Sequence, residues 1–95
     1  MYNISMNFEW DEKKSITNKN KHGIDFNTSK QLWKDNNRIE IQTSYQLENR
    51  NILIAELNSK HWTAIFTRKS ETIRIISVRR SRKREVNLYE KKENS

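Results

Sequence analysis

Polar and apolar residues alternate over short stretches at the start of the chain and then change to a helical spacing. Residues 7–10 alternate in the manner of a short strand. Asp11 is placed to cap a helix that extends to Lys21, and the only glycine, Gly23, follows where a left-handed helix end is favoured. Ile16 is the expected apolar contact of this helix.

A second helix is predicted after Asp25, which is another residue suited to capping. Phe26, Leu32 and Trp33 fall near one helical face, so they are expected to face the core. The polar residues 35–37 end this helix.

The second half of the chain has the pattern of a strand-rich region. Arg38 to Gln42 alternates, and three further strand-like runs follow, at 52–57, 62–67 and 73–78. The connections at 58–60 and 69–71 are short, which favours antiparallel hairpins. A charged helix is expected from Ser81 to about Lys91. The sequence therefore predicts an α+β fold: an antiparallel sheet of four to five strands, two N-terminal helices and a C-terminal helix.

Length and charge narrow the class of protein. The 95 residues are enough for one domain with a modest core. The formal net charge is +7, and the stretch 74–92 alone holds eight basic and two acidic residues. Such an excess of positive charge attracts phosphate backbones. Nucleic acid is thus the expected partner class, although the charge does not distinguish RNA from DNA.

The composition argues against disulfide bonds, metal sites and a membrane location. It has no cysteine, which removes disulfides, thiolate metal sites and cysteine nucleophiles. Two histidines, His22 and His61, are too few for a convincing zinc site without cysteine. No apolar run is long enough to span a membrane, and no signal-peptide pattern opens the sequence. We therefore expect a soluble, cytoplasmic protein without metal or cofactor.

Two blocks of residues resemble the BrnT toxin family, over roughly residues 6–90. The first block has the motif residues Phe8-Glu9-Trp10-Asp11, Lys13, Asn18, Lys21-His22-Gly23-Ile24 and Phe26. The second has Phe66-Thr67-Arg68, Ile73-Arg74-Ile75-Ile76-Ser77, Arg79-Arg80, Glu85 and Tyr89. Residues 38–60 are only loosely similar, and the loop 69–71 lacks the glycine that is common there. The resemblance also predicts that Met1–Ser5 are an extension of a single toxin domain, and we expect 91–95 to be a disordered tail.

The resemblance implies a RelE-like fold and cleavage of RNA without a metal. It also implies neutralisation by a BrnA-like antitoxin with a ribbon-helix-helix DNA-binding part, in a heterotetramer that contacts operator DNA through the antitoxin. The alternative is a non-catalytic subunit that binds nucleic acid or forms a complex.

A metal-free ribonuclease needs a base for the 2′-OH, cations for the phosphorane and an acid for the leaving 5′-oxygen. His22 is a candidate because histidine titrates near neutral pH, or it simply caps the helix C-terminus together with Lys21. Lys21 is otherwise an RNA-binding residue. His61 is expected to have no role in the site, and Trp10, Trp33 and Trp62 to lie in the core.

Arginines and the last helix supply the other candidates. Arg79 is the expected transition-state cation, because it ends a strand just before the basic helix start. Arg68 is a further catalytic candidate, and Arg74, which lies near Arg68 at the turn, is expected to bind RNA. For each, the alternative is a solvated or antitoxin-facing charge.

Glu85 and Tyr89 are four residues apart and share a helix face. Tyr89 can stack on a base or donate a proton, and Glu85 can act as a base or pair with an arginine. The remaining basic residues form an expected RNA-backbone track that also meets an acidic antitoxin: Arg80, Arg82, Lys83 and Arg84.

Overall fold

A sheet runs through the part of the chain that this computed structural model describes, residues 7–43 and 50–93. Its strands are β1 (Asn7–Glu9), β2 (Ile39–Gln42), β3 (Arg50–Leu57), β4 (Lys60–Lys69) and β5 (Thr72–Arg80). The helices are α1 (Glu12–His22), α2 (Phe26–Ser29) and α3 (Lys83–Glu93), and a 3₁₀ helix spans Lys30–Lys34. The predicted α+β class and order of elements are confirmed.

The strand order in the sheet is β1-β5-β4-β3-β2. Strands β2 to β5 form antiparallel pairs, as predicted from their short connections. β1 pairs with β5 in the parallel direction, with Phe8 opposite Ile73. The sheet is therefore mixed rather than antiparallel. A three-residue strand whose partner lies far away in the sequence gives no local sign of its direction.

The first two helices begin and end where their capping residues predict. The Asp11 carboxylate accepts a hydrogen bond from the Lys13 amide at 2.9 Å, and Gly23 adopts φ 86° at the end of α1. The Asp25 carboxylate accepts a hydrogen bond from the Thr28 amide at 2.7 Å, which lowers the pKa of Asp25. The predicted second helix is divided into α2 and the 3₁₀ helix, because the Lys30 amide bonds to two successive carbonyls. These caps fix where α1 stops and the chain turns back onto the sheet.

The core lies between one face of the sheet and the α1–α2 side of the molecule. Trp33 is packed edge-on against Phe8 and Phe66, with ring centroids 5.1 and 5.2 Å apart. Trp33 and Trp62 are buried as predicted, and Trp10 is half-buried against the same cluster. The prediction for Ile16 is wrong: this side chain is 57% exposed. The inward face of α1 is polar instead.

A β-bulge in β5 changes which side chains face the core. Strict alternation along β5 would place Val78 on the same face as Arg74 and on the face opposite Ile75. The register with β4 shifts between Ile65 and Phe66, so that β5 has one extra residue there. Ile75 and Val78 consequently join the same buried cluster, and Arg79 lies opposite Thr63 on the other face of the sheet.

Helix α3 packs on this second face. The Thr63 hydroxyl bonds to Glu85, and the His61 ring lies edge-on to Tyr89 at 5.0 Å. α3 extends to Glu93, three residues into the expected tail. The expected extension Met1–Ser5, the connection 44–49 and residues 94–95 lie outside the described residues.

Two tight connections use non-glycine residues in the left-handed region. Asn58 and Ser59 have φ values of 54° and 65° between β3 and β4, and Ser70 has φ 59° between β4 and β5. Positive φ at both central residues is typical of the type I′ hairpin turn. The predicted connections at 58–60 and 69–71 are therefore present, each one residue shorter than expected.

Candidate functional site

A cleft of about 270 Å³ lies between α1 and the edge of β5. Its wall on α1 carries positive or titratable side chains: Lys13, Lys14, Lys21 and His22. The other lining residues are Thr17, Asn18, Ile76 and Ser77. Within the described part of the chain no acidic side chain lines this cleft. It is thus suited to an anion, with a proton-transfer group at one end.

The cleft has a fixed width because Asn18 joins its two walls. The Asn18 amide nitrogen donates to the carbonyl oxygens of Val78 at 2.9 Å and Ile24 at 2.8 Å, and its oxygen accepts from the Val78 amide at 3.1 Å. Ser15, one turn earlier, accepts a hydrogen bond from the Phe26 amide at 2.9 Å. These buried contacts hold the end of α1, and therefore His22, beside β5.

Arg79 and Glu85 form the most buried ion pair among the described residues. Two hydrogen bonds of 2.8 Å join their side chains, which are 20% and 13% exposed. The guanidinium also donates to the carbonyl of Arg80 at 3.3 Å. Arg79 is thus held firmly at the end of β5, and pairing with Glu85 raises its pKa.

Glu85 also caps the start of α3. Its carboxylate accepts the Arg82 amide at 2.7 Å and the Thr63 hydroxyl at 3.0 Å, so the third residue of the helix reaches back to the residue before it. The hydrogen bonds from Arg79 are the largest cause that lowers the pKa of Glu85 to about 2; burial opposes them, and Arg82 and Thr63 add to them. Glu85 remains a carboxylate at neutral pH.

Tyr89 is on the buried side of α3 and is 2% exposed. Its hydroxyl donates a hydrogen bond to Oδ2 of the Asp35 carboxylate at 2.7 Å. The same Asp35 oxygen accepts a hydrogen bond from the Glu56 amide at 2.8 Å. Burial raises the pKa of Asp35, but these hydrogen bonds from Glu56 and Tyr89 outweigh it, so that the pKa lies below its usual value. Tyr89 therefore joins α3 to β3 and to the end of the 3₁₀ helix.

Arg68, near the end of β4, forms a bidentate salt bridge with Glu40 of β2. The nitrogen–oxygen distances are 2.7 and 3.1 Å, and the guanidinium lies 5.6 Å from the centre of the Phe66 ring. Arg68 lies opposite Ile73 in the sheet, on the core face, whereas Arg79 is on the face covered by α3. The two arginines thus lie on opposite faces.

The remaining predicted cations are exposed. Arg74 pairs with Glu9 at 3.0 Å, and Arg80 lies over the Trp62 ring at 5.5 Å. At the start of α3 three neighbouring side chains are exposed to solvent: Arg82, Lys83 and Arg84. The structure therefore brings His22 together with Lys21, and Arg79 with Glu85, while Arg68 and Tyr89 belong to separate contacts.

Sequence reasoning gave a role in the site to only two of the eight described residues that line the cleft, Lys21 and His22. Lys13, Asn18, Ile76 and Ser77 were noted only as motif residues, and Lys14 and Thr17 were not noted. The spacing of Lys14, Asn18 and Lys21 corresponds to one helical face, which was a usable signal. The contribution of β5 could not have been seen, because it depends on the tertiary placement of α1.

No group of three or more His, Cys, Asp or Glu residues that could hold a metal ion occurs in residues 7–43 and 50–93. No helix in those ranges is long and apolar enough to cross a membrane.

Comparison with known proteins agrees with the two sequence blocks. The family model described as "Ribonuclease toxin, BrnT, of type II toxin-antitoxin system" matches residues 10–85. A search of the curated proteins finds no match. The matched region contains α1, the complete sheet apart from β1, and Glu85 at the start of α3. The chain belongs to the BrnT family of ribonuclease toxins from type II toxin–antitoxin systems.

Proposed function

We propose that this toxin is a metal-independent endoribonuclease that cleaves RNA by attack of the 2′-OH on the neighbouring phosphate. The products are a 2′,3′-cyclic phosphate and a 5′-hydroxyl. The observation that carries the proposal is the position of His22 and Lys21 in a cleft without acidic lining among the described residues, across from Ser77 of β5.

The residues of the cleft match the chemistry that this reaction requires. Proton transfer needs a side chain that can both accept and donate a proton, and His22 places an imidazole in the cleft. The phosphorane needs cations that are already in place as negative charge develops. Lys21 lies next to His22 in the cleft, and Ser77 of β5 forms the facing wall. Arg74 and Arg79 belong to the same strand but do not line the cleft. The chain thus provides its own charge stabilisation and proton carrier.

The arginines and α3 have supporting roles in this proposal. Arg79 is a rigid cation that contacts the phosphate with the N–H groups that Glu85 and the Arg80 carbonyl do not use. Arg74, Arg80, Arg82, Lys83 and Arg84 guide the RNA backbone. Glu85 orients Arg79, since a carboxylate with a pKa of about 2 is a weak base. Catalytic roles for Arg68 and Tyr89 stay predictions, which their contacts with Glu40 and Asp35 do not favour.

The proposed partner is a BrnA-like antitoxin with a ribbon-helix-helix part. It forms a heterotetramer with the toxin and brings it to operator DNA. Acidic antitoxin side chains cover the exposed cations between Arg79 and Arg84, so RNA cannot reach them. The free toxin acts in the cytoplasm, where it cleaves RNA and inhibits translation and growth.

Incubation of the pure protein with RNA in EDTA tests the reaction. Cleavage is expected to persist, with cyclic phosphate ends on the products. His22→Gln should reduce the rate of RNA cleavage by about 100-fold or more. His61→Gln, which alters a histidine outside the cleft, should cleave RNA at the wild-type rate. Activity that disappears in EDTA and returns with magnesium would contradict the mechanism.

The second candidate function is a non-catalytic subunit. One observation favours it: Glu85 and Tyr89, two of the three proton carriers expected from the sequence, already bond to Arg79 and Asp35. RNA binding without any cleavage by the pure protein, with and without added divalent metal, would support that alternative.

A further inference from the structure

We propose that the Lys13–Lys14 end of the α1–β5 cleft is a subsite for a second phosphate of a single-stranded RNA, at least one nucleotide away from the phosphate held near His22. This subsite rests on the proposed function, because it extends the same RNA strand along α1. Nothing in the reaction itself requires Lys13 or Lys14, so the subsite concerns length and affinity rather than chemistry.

The spacing along α1 separates the two ends of the cleft. Lys14 and His22 are eight residues apart in one helix, which is roughly 12 Å along its axis. One strand of a stacked duplex rises only about 3.4 Å per nucleotide. A phosphate at Lys13 and Lys14 therefore belongs to a different nucleotide from one at Lys21 and His22.

The two lysines are placed against the preference of the helix itself. They are the second and third residues of α1, where the helix dipole favours acidic side chains. The neighbouring acids do not offset them in the cleft: Asp11 caps the helix, and Glu12 accepts a hydrogen bond from Trp10 at 3.1 Å. The two positive charges thus cost helix stability and face a cleft that lacks acidic lining within residues 7–43 and 50–93. An anionic ligand is the physical reason for such an arrangement.

The lining of the cleft favours RNA over an acidic protein segment. A helix or strand of a partner would need an apolar seam to dock, and Ile76 is the one apolar side chain among the lining residues of the described chain. Thr17 and Ser77 instead carry hydroxyl groups beside the lysines. Such groups hydrogen-bond to phosphate and sugar oxygens.

Binding of a 2′-O-methyl RNA hexamer tests the subsite independently of cleavage, because this probe has no free 2′-OH. The variant Lys13→Gln/Lys14→Gln is compared with Lys34→Gln/Lys60→Gln, which removes two exposed lysines outside the cleft. We expect the first variant to bind the hexamer about tenfold more weakly at low salt. Loss of one phosphate contact should reduce the slope of log affinity against log salt by about 0.7. The control variant should keep the wild-type slope.

A shorter probe locates the effect. A 2′-O-methyl dinucleotide has one phosphate, and its weak binding, followed by NMR shifts, should be the same in wild type and the Lys13→Gln/Lys14→Gln variant. The hexamer should shift the backbone amides of Lys13, Lys14 and Thr17 in the wild type, and the dinucleotide should not.

Two results for the variants would overturn the subsite: an unchanged salt slope in Lys13→Gln/Lys14→Gln, or an equal loss of hexamer affinity in the control variant. A third is displacement of the hexamer by poly-L-glutamate at equal charge concentration, because it would assign the cleft to an acidic polypeptide. Failure of the proposed function is recognised separately. In that case unmodified RNA stays intact with the wild type, whatever the hexamer data show.

Discussion

The side-chain amide of Asn18 binds both the N–H and the C=O of Val78, at 3.1 and 2.9 Å. β1 pairs with β5 only as far as Arg74, so these backbone groups lie beyond the reach of a neighbouring strand on that side. A single helix side chain thus supplies the two hydrogen bonds that a longer β1 would have made. Both partners are buried, which makes these bonds costly to lose.

Asn18→Leu should therefore lower the free energy of unfolding by about 3 kcal/mol, because it leaves buried polar groups of Val78 and Ile24 without partners. Asn20→Leu, at an exposed position on the same helix, should change it by less than about 0.5 kcal/mol. Urea unfolding followed by circular dichroism measures both. Equal losses would mean that the Asn18 contacts add nothing beyond helix propensity.

The Arg79–Glu85 pair should make stability depend on pH in the acid range. The pKa of Glu85 in the folded state, about 2, is below its ordinary value, so its contribution is complete above about pH 5 and is lost as pH falls towards 2. Glu85→Gln should flatten this part of the stability curve and cost about 2 kcal/mol at pH 7. Glu90→Gln, at an exposed site on α3, is the control and should leave the curve unchanged.

Removal of Arg79 should separate its structural role from its action on RNA. Arg79→Ala should reduce single-turnover cleavage about 100-fold through loss of a fixed cation. It should also destabilise the fold by about 2 kcal/mol, because Glu85 loses its partner. The double variant Arg79→Ala/Glu85→Gln removes both partners, and it should recover part of the stability without recovering activity.

Arg82→Ala is the matched control for that experiment, because Arg82 is exposed at the start of α3. It should slow cleavage less than about threefold and mainly weaken RNA binding at higher salt. If the double variant of Arg79 and Glu85 regained activity, the proposed contact between Arg79 and the phosphate would be wrong.

Tyr89→Phe should lower stability by about 1.5 kcal/mol, since the hydrogen bond to the charged Asp35 is lost while the ring stays in place. Cleavage, measured at a temperature where the variant is fully folded, should remain within about threefold of wild type. A 100-fold loss under those conditions would give Tyr89 the proton-donor role instead.

Ser59→Gly should stabilise the β3–β4 turn by about 1 kcal/mol, because Ser59 has φ 65° and glycine adopts this region without a steric penalty. Ser59→Ala keeps the side-chain carbon at the same backbone angle and should give no gain. Thermal melts of the two variants would show the difference, and equal melting temperatures would refute the strain.

The elements that were predictable are those with a local cause. Asp11, Gly23 and Asp25 marked helix boundaries through hydrogen bonds within a few residues, and the hairpins followed from short loops. The direction of β1, the bulge after Ile75 and the exposure of Ile16 depend on contacts between distant segments, so alternation and spacing could not reveal them. His22 could be predicted as a candidate from its residue type and its motif. Its neighbours across the cleft, Ile76 and Ser77, could not, because they reach it only through the fold.

The two walls of the cleft are separated by more than fifty residues in the sequence, since α1 supplies residues up to His22 and β5 supplies Ile76 and Ser77. During synthesis α1 emerges from the ribosome before β5 does, so α1 at first has no strand to pack against. Until β5 leaves the ribosome, Asn18 has no Val78 to bind and the cleft does not exist. If the cleft is the RNA site, as proposed, a nascent chain that is interrupted before β5 lacks that site altogether.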